Sequence, residues 1–595
     1  MKNLALVFGI ILLSFGCSEE QHQSWIRINQ MGYQPNTIKV AVIGSKDNIS
    51  VTEFTLHNSE NDAIVASFDT VESKGEFGPF QTSFRLDFSD FNDEGSYYIR
   101  AKNTKSPVFK IDNNVYDGTA DFLLKYMRQQ RCEFNPYLKD SCHVDDGFII
   151  YHPEKPDGTH IDVAGGWHDA TDYLQYTATS ANAIYQLLYS YRENPEAFGD
   201  AYQANGLEGA NGIPDVIDEA KFGMDWLIKM NPSSTEYYNQ IADDRDHAGY
   251  RLPNKDSVVY HPEYKGRPVY FVSGEIQGLF ENKNRTTGVS STAGKFASSF
   301  GIGAEVLSDF YPEYAKNLTQ KAKDAYAFGK TKPGTMQTAP ATSPYFYEED
   351  NWYDDMELAA AKLYKLTNDK TYYSEALNYA SSEKVTPWMG QDTAKHYQYY
   401  PFYNAGHNEL ALIANTDDKK TVTNYYKTGL EAIAQRGKDN PFLIGVPFIW
   451  CSNNLVTATL TQAKAYRELT GDDTYLNMEA ALRDWLFGCN PWGTSMIVGL
   501  PEGYGDSPIY PHSSLNLLHG YQTDGGLVDG PVYGSIYNNL KGLQLLNPDP
   551  YAAFQSEYVV YHDDVGDYST NEPTMDGTAC LVFYLSSLEA DVKKK

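Results

Sequence analysis

Two stretches decide the fold: ELAAAKLYKLTNDKTYYSEAL (residues 357–377) and TLTQAKAYRELTGDDTYLNMEAAL (residues 459–482). Each carries a helical run with a Tyr, then Leu-Thr-x-Asp, then another Tyr, then a second helical run. A helix, a tight corner and a second helix make a helical hairpin, and the chain uses it twice. The same periodicity spreads outward. In PDVIDEAKFGMDWLIKM (214–230), Ile217, Ala220, Met224, Leu227 and Ile228 fall on one face. Pro214 stands at that helix start, where its missing N–H costs little. Similar patterns lie near 117–131, 177–193, 290–310, 312–328, 353–367, 371–383, 405–415, 420–436, 454–470, 473–488 and 573–590. About a dozen helices follow one another with no parallel-strand pattern between them. A ring of such hairpins is an α/α toroid. The spacings vary too much for a regular α-solenoid.

Upstream the character is different. KVAVIGS, VTEFTLHN, AIVASFD, TSFRLDF, GSYYIRA and PVFKID are short, often alternating and rich in Val, Ile, Phe and Tyr, with Gly, Asn and Asp between them. That is the signature of a small β-sandwich over residues 24–112. It has no Cys-Trp-Cys set, so an antibody-type domain is not expected. At 595 residues the chain is too long for one ordinary domain. The expectation is therefore a multidomain protein: the sandwich, then an all-α domain over 116–590.

The first residues, MKNLALVFGIILLSFGC, hold one Lys, a short apolar run and Gly16-Cys17. The run is too short to span a membrane and reads as a secretory signal over 1–17. A small residue before Cys resembles a bacterial lipoprotein signal, which implies a lipid on Cys17. Ser14 departs from the usual Leu of that pattern, so a conventional signal peptide stays open. Residues 18–23 read as a polar tether. Glu19 and Glu20 resemble an export tag of surface lipoproteins. The expected location is outside the cytoplasm, anchored at the cell envelope on the outer membrane.

Net charge is −30, which works against a phosphate backbone, so nucleic acid is not an expected partner. Aromatics make up 14% of the chain, with 47 Tyr. Aromatic faces stack on the C–H faces of sugar rings, so an acidic, aromatic-rich chain fits a neutral carbohydrate. The long loops 132–170, 231–289, 330–352, 385–404, 438–453 and 489–572 hold most of the Gly, Pro, Trp and Asp, and loops this long are usually functional. Trp352, Trp388, Trp450 and Trp492 lie in or beside them as candidate sugar platforms.

Three constellations carry chemistry. In DVAGGWHDATDYLQY (162–176), Asp169 and Asp172 sit three apart, so both can face one cavity from a turn or a first helical turn. Gly165 and Gly166 permit positive φ, and Trp167 offers an apolar wall that supports a sugar ring or raises a pKa. Two acids suit activation of a water; a helix N-terminus is the plainer reading. In YHDDVGDYSTNEPTMDGTA (561–579), Asp563, Asp564, Asp567 and Glu572 share a loop. Glu572, beside aromatics and followed by Pro573 as a first helical residue, suits a general acid. A solvated acidic loop or a Ca2+ site with oxygen ligands are the other readings. Finally, Cys132, Cys142, His143 and His168 make a Cys2His2 set suited to Zn2+. A Cys132–Cys142 disulfide remains open for an exported chain. Four protein ligands leave no open position, so the metal would be structural.

The pairing of GGWHDATDY with a distant Tyr561, Asp563, Tyr568, Glu572 pattern resembles glycoside hydrolase family 9, the inverting cellulases. RCEFNP with CHVDD resembles that family's Cys and His stretch, which holds zinc in some members. LTGDDTYLNMEAALRDWLFGCNPWGTS resembles its Leu-Thr-Gly-Asp to Asn-Pro segment. IRINQMGYQPNTIKVAVI resembles the immunoglobulin-like domain of one subgroup. The resemblance covers nearly the whole mature chain. It implies an (α/α)6 barrel with an open cleft and no catalytic cofactor. Asp172 would be the general base, Asp169 its partner in holding water, and Glu572 the general acid, with Asp563 of the same motif a further catalytic candidate. His512, Trp167 and Tyr568 would meet the sugar. The implied substrate is a β-1,4-linked glucan, cellulose-like, mixed-linkage or xyloglucan, cut internally by a monomer. The alternative is exo-action on short oligosaccharides, as a glucosidase or glucosaminidase.

The departures are specific. Thr171 replaces the Gly of the family's Asp-Ala-Gly-Asp. Pro511-His512-Ser513-Ser514 lacks the second His and the Arg of Pro-His-His-Arg. Gly-Gly-Pro-Asn is reduced to Val528-Asp529-Gly530-Pro531, and Thr578 stands where Asn is expected. These changes bear on which sugar is bound more than on the reaction.

Overall fold

The computed structural model describes residues 23–343 and 347–593. Residues 1–17, read above as a signal with Cys17 at its end, and all of the stretch read as a tether except Gln23 lie outside the described residues. β1 (Ser24–Arg27), β2 (Val40–Ser45), β3 (Phe54–Asn58), β4 (Ile64–Phe68), β5 (Val71–Ser73), β6 (Thr82–Asp87), β7 (Gly95–Ala101), β8 (Thr104–Lys105) and β9 (Phe109–Ile111) form the first domain. One sheet runs β1-β2-β6-β5 and the other β4-β3-β7-β8, with β9 on β7. All their pairings are antiparallel. The alternation read in the sequence puts Ile43, Leu56, Leu86 and Ile99 into the core between the sheets.

Among the described residues, twelve helices build the two rings of the second domain. The inner ring is α2 (Thr177–Glu193), α4 (Ser290–Val306), α6 (Tyr353–Thr367), α9 (Ala405–Ile413), α11 (Ser452–Thr470) and α15 (Met575–Lys593). Each packs on the next, and α15 packs back on α2, which closes the ring. The outer ring is α1 (Thr119–Gln129), α3 (Asp215–Lys229), α5 (Pro312–Gly329), α7 (Lys370–Ser382), α10 (Thr416–Gly437) and α12 (Leu476–Leu486), each against an inner helix. Short helices α8 (Pro387–Gln391), α13 (Ser514–His519) and α14 (Gly534–Tyr537) sit in the connections. Outer helices show the amphipathic period: α5 buries Ala315, Leu318, Ala322, Ala325 and Tyr326 on one face. Inner helices are buried nearly all round, as a double ring requires. On α3, Ile217, Ala220, Met224 and Leu227 are buried as read, while Ile228 is half-buried at the edge of that face.

The two quoted hairpins are α6–α7 and α11–α12. Their corners have the same construction. Asn368 and Gly471, third in Leu-Thr-Asn-Asp and Leu-Thr-Gly-Asp, both end their inner helix in the left-handed conformation. Asn and Gly are the residues that tolerate it.

The long loops are less irregular than the sequence suggests. β10 (Glu133–Asn135) and β11 (Asp140–Cys142) make a hairpin; β12 (Phe148–Ile150), β13 (Gln175–Tyr176), β14 (Tyr238–Ile241) and β15 (Pro268–Phe271) make a four-stranded sheet. Its β12–β15 pair is parallel, which corrects the expectation of no parallel strands. β16 (Leu527–Val528) pairs with β19 (Pro573–Thr574), and β17 (Val532–Tyr533) with β18 (Val559–Val560). Pro573 is therefore a strand residue and not the first of a helix; α15 starts two residues later.

Candidate active site

Gly165 and Gly166 take φ of +113° and +72°. A Cβ on Gly166 would strike the Trp226 ring at 2.7 Å. This tight corner turns Trp167 inward. Its Nε1 donates to Glu219 Oε1 at 2.8 Å, and its ring fills the space over Gly223. Trp167 is fully buried and does not line the cavity. It anchors the loop, and the sugar-wall expectation is corrected: a ring in the core has no face for a substrate.

Beyond Trp167 the chain is irregular, not helical, until β13. Asp169 N–H donates to Leu174 O at 2.9 Å, and Asp169 O accepts from Met575 N–H, the first residue of α15, at 2.9 Å. Thr171 N–H donates to Glu572 Oε1 at 2.9 Å. The loop that carries Asp169 and Asp172 and the segment that carries Glu572, 401 positions apart between Thr171 and Glu572, are thus joined directly. The Thr171 hydroxyl donates to the His512 carbonyl, so this departure from the family pattern links the loop to the His512 segment.

Asp169, Asp172, Glu572, His512 and Tyr568 line one cavity of about 730 Å³. Tyr568 stacks on Trp450 at 5.8 Å between ring centres, giving an aromatic wall. Trp388 and Trp492 are buried in the core, and Trp352 packs against it; of the four Trp candidates only Trp450 reaches the cavity. Asp563 does not. Its carboxylate accepts from Ile509 and Tyr510 N–H, both at 2.8 Å, and from Asn571 Nδ2 at 3.1 Å. It pins the segment that carries His512 and touches no open space. Asp564 similarly takes the amides of Leu546, Asn547 and Gly566, and Asp567 those of Ser569 and Thr570. The acidic loop is neither solvated nor a calcium cage. Asp563, Asp564 and Asp567 are buried acceptors for backbone amides, some within the loop and some in the segments around Ile509 and Leu546.

The electrostatics split the acids. Asp172 is pushed up by burial, but His247, with Nε2 3.5 Å from Asp172 Oδ2, and the Leu174 N–H outweigh this and hold it below the usual range. His247, whose side chain is 54% exposed, is raised to about 9, because Asp172 more than offsets the partial desolvation of its ring beside the cavity. Glu572 is raised by burial, with Asp172 adding to the shift and His512 opposing it. Asp169 is raised by burial, then by Asp576 and Asp172, while accepting from the Thr179 and Tyr347 hydroxyls. The cavity thus holds two carboxyls, Asp172 and Glu572, whose surroundings push their pKa values in opposite directions, an arrangement suited to acid–base work.

Sequence reading missed His247, Tyr250, Tyr347 and His396, all in the cavity wall. They come from loops 231–289, 330–352 and 385–404, which were recognised as functional, but no local pattern within them points at these positions.

Cys132 Sγ, Cys142 Sγ and one nitrogen of each of His143 and His168 lie within 4.8 Å of one another. The β10–β11 pairing sets Glu133 opposite Cys142, so the cysteines meet at the open end of the hairpin. Both are free thiols. Cys132 Sγ is 3.7 Å from His143 Nδ1, and Cys142 Sγ is 3.9 Å from His168 Nε2, separations close to a tetrahedral edge around Zn2+. His143 Nε2 meets Asp256 Oδ2 at 3.0 Å, which fixes the ring as a second shell would. The donor set fits zinc. No other such Cys, His, Asp or Glu group of ligand spacing occurs among the described residues.

Comparison with known proteins places these features. A family model for glycosyl hydrolase family 9 matches residues 116–585, and one for the cellulase N-terminal Ig-like domain matches residues 21–106. A cellodextrinase of Butyrivibrio fibrisolvens is 26% identical over 95% of this chain and 99% of its own. A xyloglucan-specific endo-β-1,4-glucanase of Bacteroides ovatus is 25% identical over 95% of this chain and 94% of its own. Among solved structures, a metagenome-derived family 9 endoglucanase superposes with a TM-score of 0.75 at 22% identity, covering 95% of this chain and 99% of the other. A zinc-binding triple mutant of a family 9 endoglucanase gives 0.75 at 23%, covering 93% and 99%.

Proposed function

The chain belongs to glycosyl hydrolase family 9, and on that premise we propose that Asp172, Asp169 and Glu572 divide the work of an inverting β-1,4-glucanase. Asp172, ionised, takes a proton from water as the water oxygen attacks the anomeric carbon. Asp169, behind it, helps hold that water. Glu572, protonated, gives its proton to the glycosidic oxygen as the carbon–oxygen bond breaks. The anomeric configuration inverts because attack and departure occur on opposite faces. The observation that carries this reading is the opposite shift of Asp172 and Glu572 across one cavity.

The substrate is a neutral β-glucan cut within the chain. The relatives named above include both a cellodextrinase and a xyloglucan-specific endo-enzyme, so chain length and side-branching are the properties to vary. Proton NMR of product formation on a panel of β-glucans and cello-oligosaccharides tests the reading. The α-anomer from internal cuts is expected first. Glu572→Gln should lower kcat on natural glycosides by about a thousandfold or more, consistent with loss of proton transfer to a poor leaving group, and should leave KM nearly unchanged. β-anomer as first product would overturn the assignment of Asp172 and Glu572.

Zinc in the Cys132, Cys142, His143 and His168 set would be structural, holding the loop that leads into Asp169. The enzyme is further proposed to act as a monomer, anchored by lipid on Cys17 at the cell envelope. Supporting this are the apolar run and Gly16-Cys17. Cys17→Ala should move the protein from the membrane fraction to the soluble fraction of an expressing bacterium and abolish fatty-acid labelling; a labelled variant would sink the anchor.

A further inference from the structure

Asp529, in the stretch Val528-Asp529-Gly530-Pro531, lines the cavity that Asp169, Asp172 and Glu572 share. Its backbone has no freedom. Asp529 N–H donates to Glu572 O at 2.9 Å, and Asn453 N–H donates to Asp529 O at 2.9 Å. The residue is thus fixed between the backbone of Glu572 and the first turn of α11. Its carboxyl is almost fully buried, yet the donor it meets is weak: the Cys451 thiol, with Sγ 3.3 Å from Oδ1. Buried carboxyls are normally better satisfied than this. Burial, then the neighbouring Glu572 carboxyl, push it well above the usual range, which favours its neutral form.

Cys451 also lines the cavity and takes φ of +59°. That left-handed backbone is strained for an L residue, and strain of this kind persists where surrounding structure imposes it. Here it presents the thiol to Asp529, with His396 Nε2 3.9 Å away on the other side. A neutral carboxyl offers one donor and one acceptor, which is the complement of a sugar hydroxyl.

We propose that Asp529, oriented by Cys451, is a specificity-determining residue whose carboxyl hydrogen-bonds a hydroxyl of the glucosyl unit seated beside Glu572. The inference rests on the proposed glucanase activity. It deepens that reading by naming a substrate contact made by a cavity carboxyl that the acid and base roles do not use.

The test uses the soluble full-length mature chain with Asp529→Gly and Asp529→Asn, assayed on cellotetraose. Removing the carboxyl should raise KM about tenfold, the loss of one hydrogen bond to a neutral hydroxyl, and leave kcat within about threefold. The amide keeps a donor and an acceptor, so Asp529→Asn should restore KM to within about threefold of wild type, whereas a purely structural role predicts no such split between KM and kcat. A second readout needs no turnover: calorimetric binding of cellotetraose to Glu572→Gln, with and without Asp529→Gly. Affinity unchanged by Asp529→Gly would overturn the role of Asp529. Full activity in Glu572→Gln alone would overturn the acid assignment instead, so the two failures are distinguishable.

Discussion

At the residue scale, the proposed base and acid are two carboxyls of similar chemistry driven apart by their neighbours. Asp172 has a cationic imidazole beside it; Glu572 has burial and another carboxylate. The base functions ionised, so activity falls as pH drops through the Asp172 pKa. The acid functions protonated, so activity falls as pH rises through the Glu572 pKa. The pH profile of kcat/KM should therefore be a bell with its acid limb below the ordinary Asp range. His247→Ala removes the cation that depresses Asp172 and, more weakly, Glu572. Both limbs should move to higher pH, the acid limb further. An acid limb unmoved by His247→Ala would mean that another group sets the base. His247 also shows why part of this site was invisible in the sequence. Asp169, Asp172 and Glu572 sit in dense, recognisable motifs, but His247 lies between Asp246 and Ala248 in a loop with no periodicity. Only the folding of residues 231–289 over the cavity gives it meaning.

At the scale of elements, the β10–β11 hairpin and the loop after it behave as one clamp. Cys132 N–H donates to Gly166 O and His168 N–H to Gln130 O, both at 2.8 Å, so the end of α1 and the approach to Asp169 run side by side. A zinc on the four ligands would cross-link them, and His168 is next to Asp169 in the chain. Elemental analysis should find close to one zinc per chain. Cys142→Ser should lose that zinc and unfold at a lower temperature, with activity falling because Asp169 is less well held; a structural zinc site carries folding energy. Full zinc content in Cys142→Ser, or a Cys132–Cys142 disulfide by mass spectrometry of the native protein, would reject the site. Helices were the most legible elements, because apolar spacing in outer helices such as α3 and α5 records which face is buried. Short strands within loops were not legible. Two- to four-residue strands such as β13 and β15 have no room for an alternating pattern, and their pairing depends on partners far away in sequence. Trp167 and Trp450 make the same point for side chains. Both are aromatic residues in long loops, and only tertiary packing sends one into the core and the other to the cavity.

At the scale of the whole molecule, the two domains share a buried polar seam. Asn29 Nδ2 donates to Asp484 Oδ1 at 2.7 Å and to Tyr116 OH at 2.8 Å, and Gln30 N–H donates to Phe487 O at 2.8 Å. Arg27 reaches Pro491 O, and Arg85 reaches Pro441 O. Buried polar groups of this kind are costly to leave unpaired, so the sandwich and the barrel should unfold together. The seam also reaches toward the site. Gln30 Oε1 accepts from Asp506 N–H at 2.6 Å, and its Nε2 donates to Gly493 O at 2.8 Å. Those residues begin the segment that continues through Ile509 and Tyr510, pinned by Asp563, to His512 at the cavity. The sandwich is thus a brace for one wall of the active site, without itself lining the cavity. Gln30→Ala should leave the protein folded, since one side chain at the seam contributes only about 1–3 kcal/mol. It should raise KM several-fold, as the His512 segment loosens, while kcat and the anomer released stay close to wild type. Deleting residues 1–112 should do much more, because it strips Tyr116, Phe487 and Asp484 of their cover; a sharp fall in melting temperature is expected. A truncated barrel with the melting temperature and KM of the full chain would show that the first domain is a passenger and that the wall stands without it.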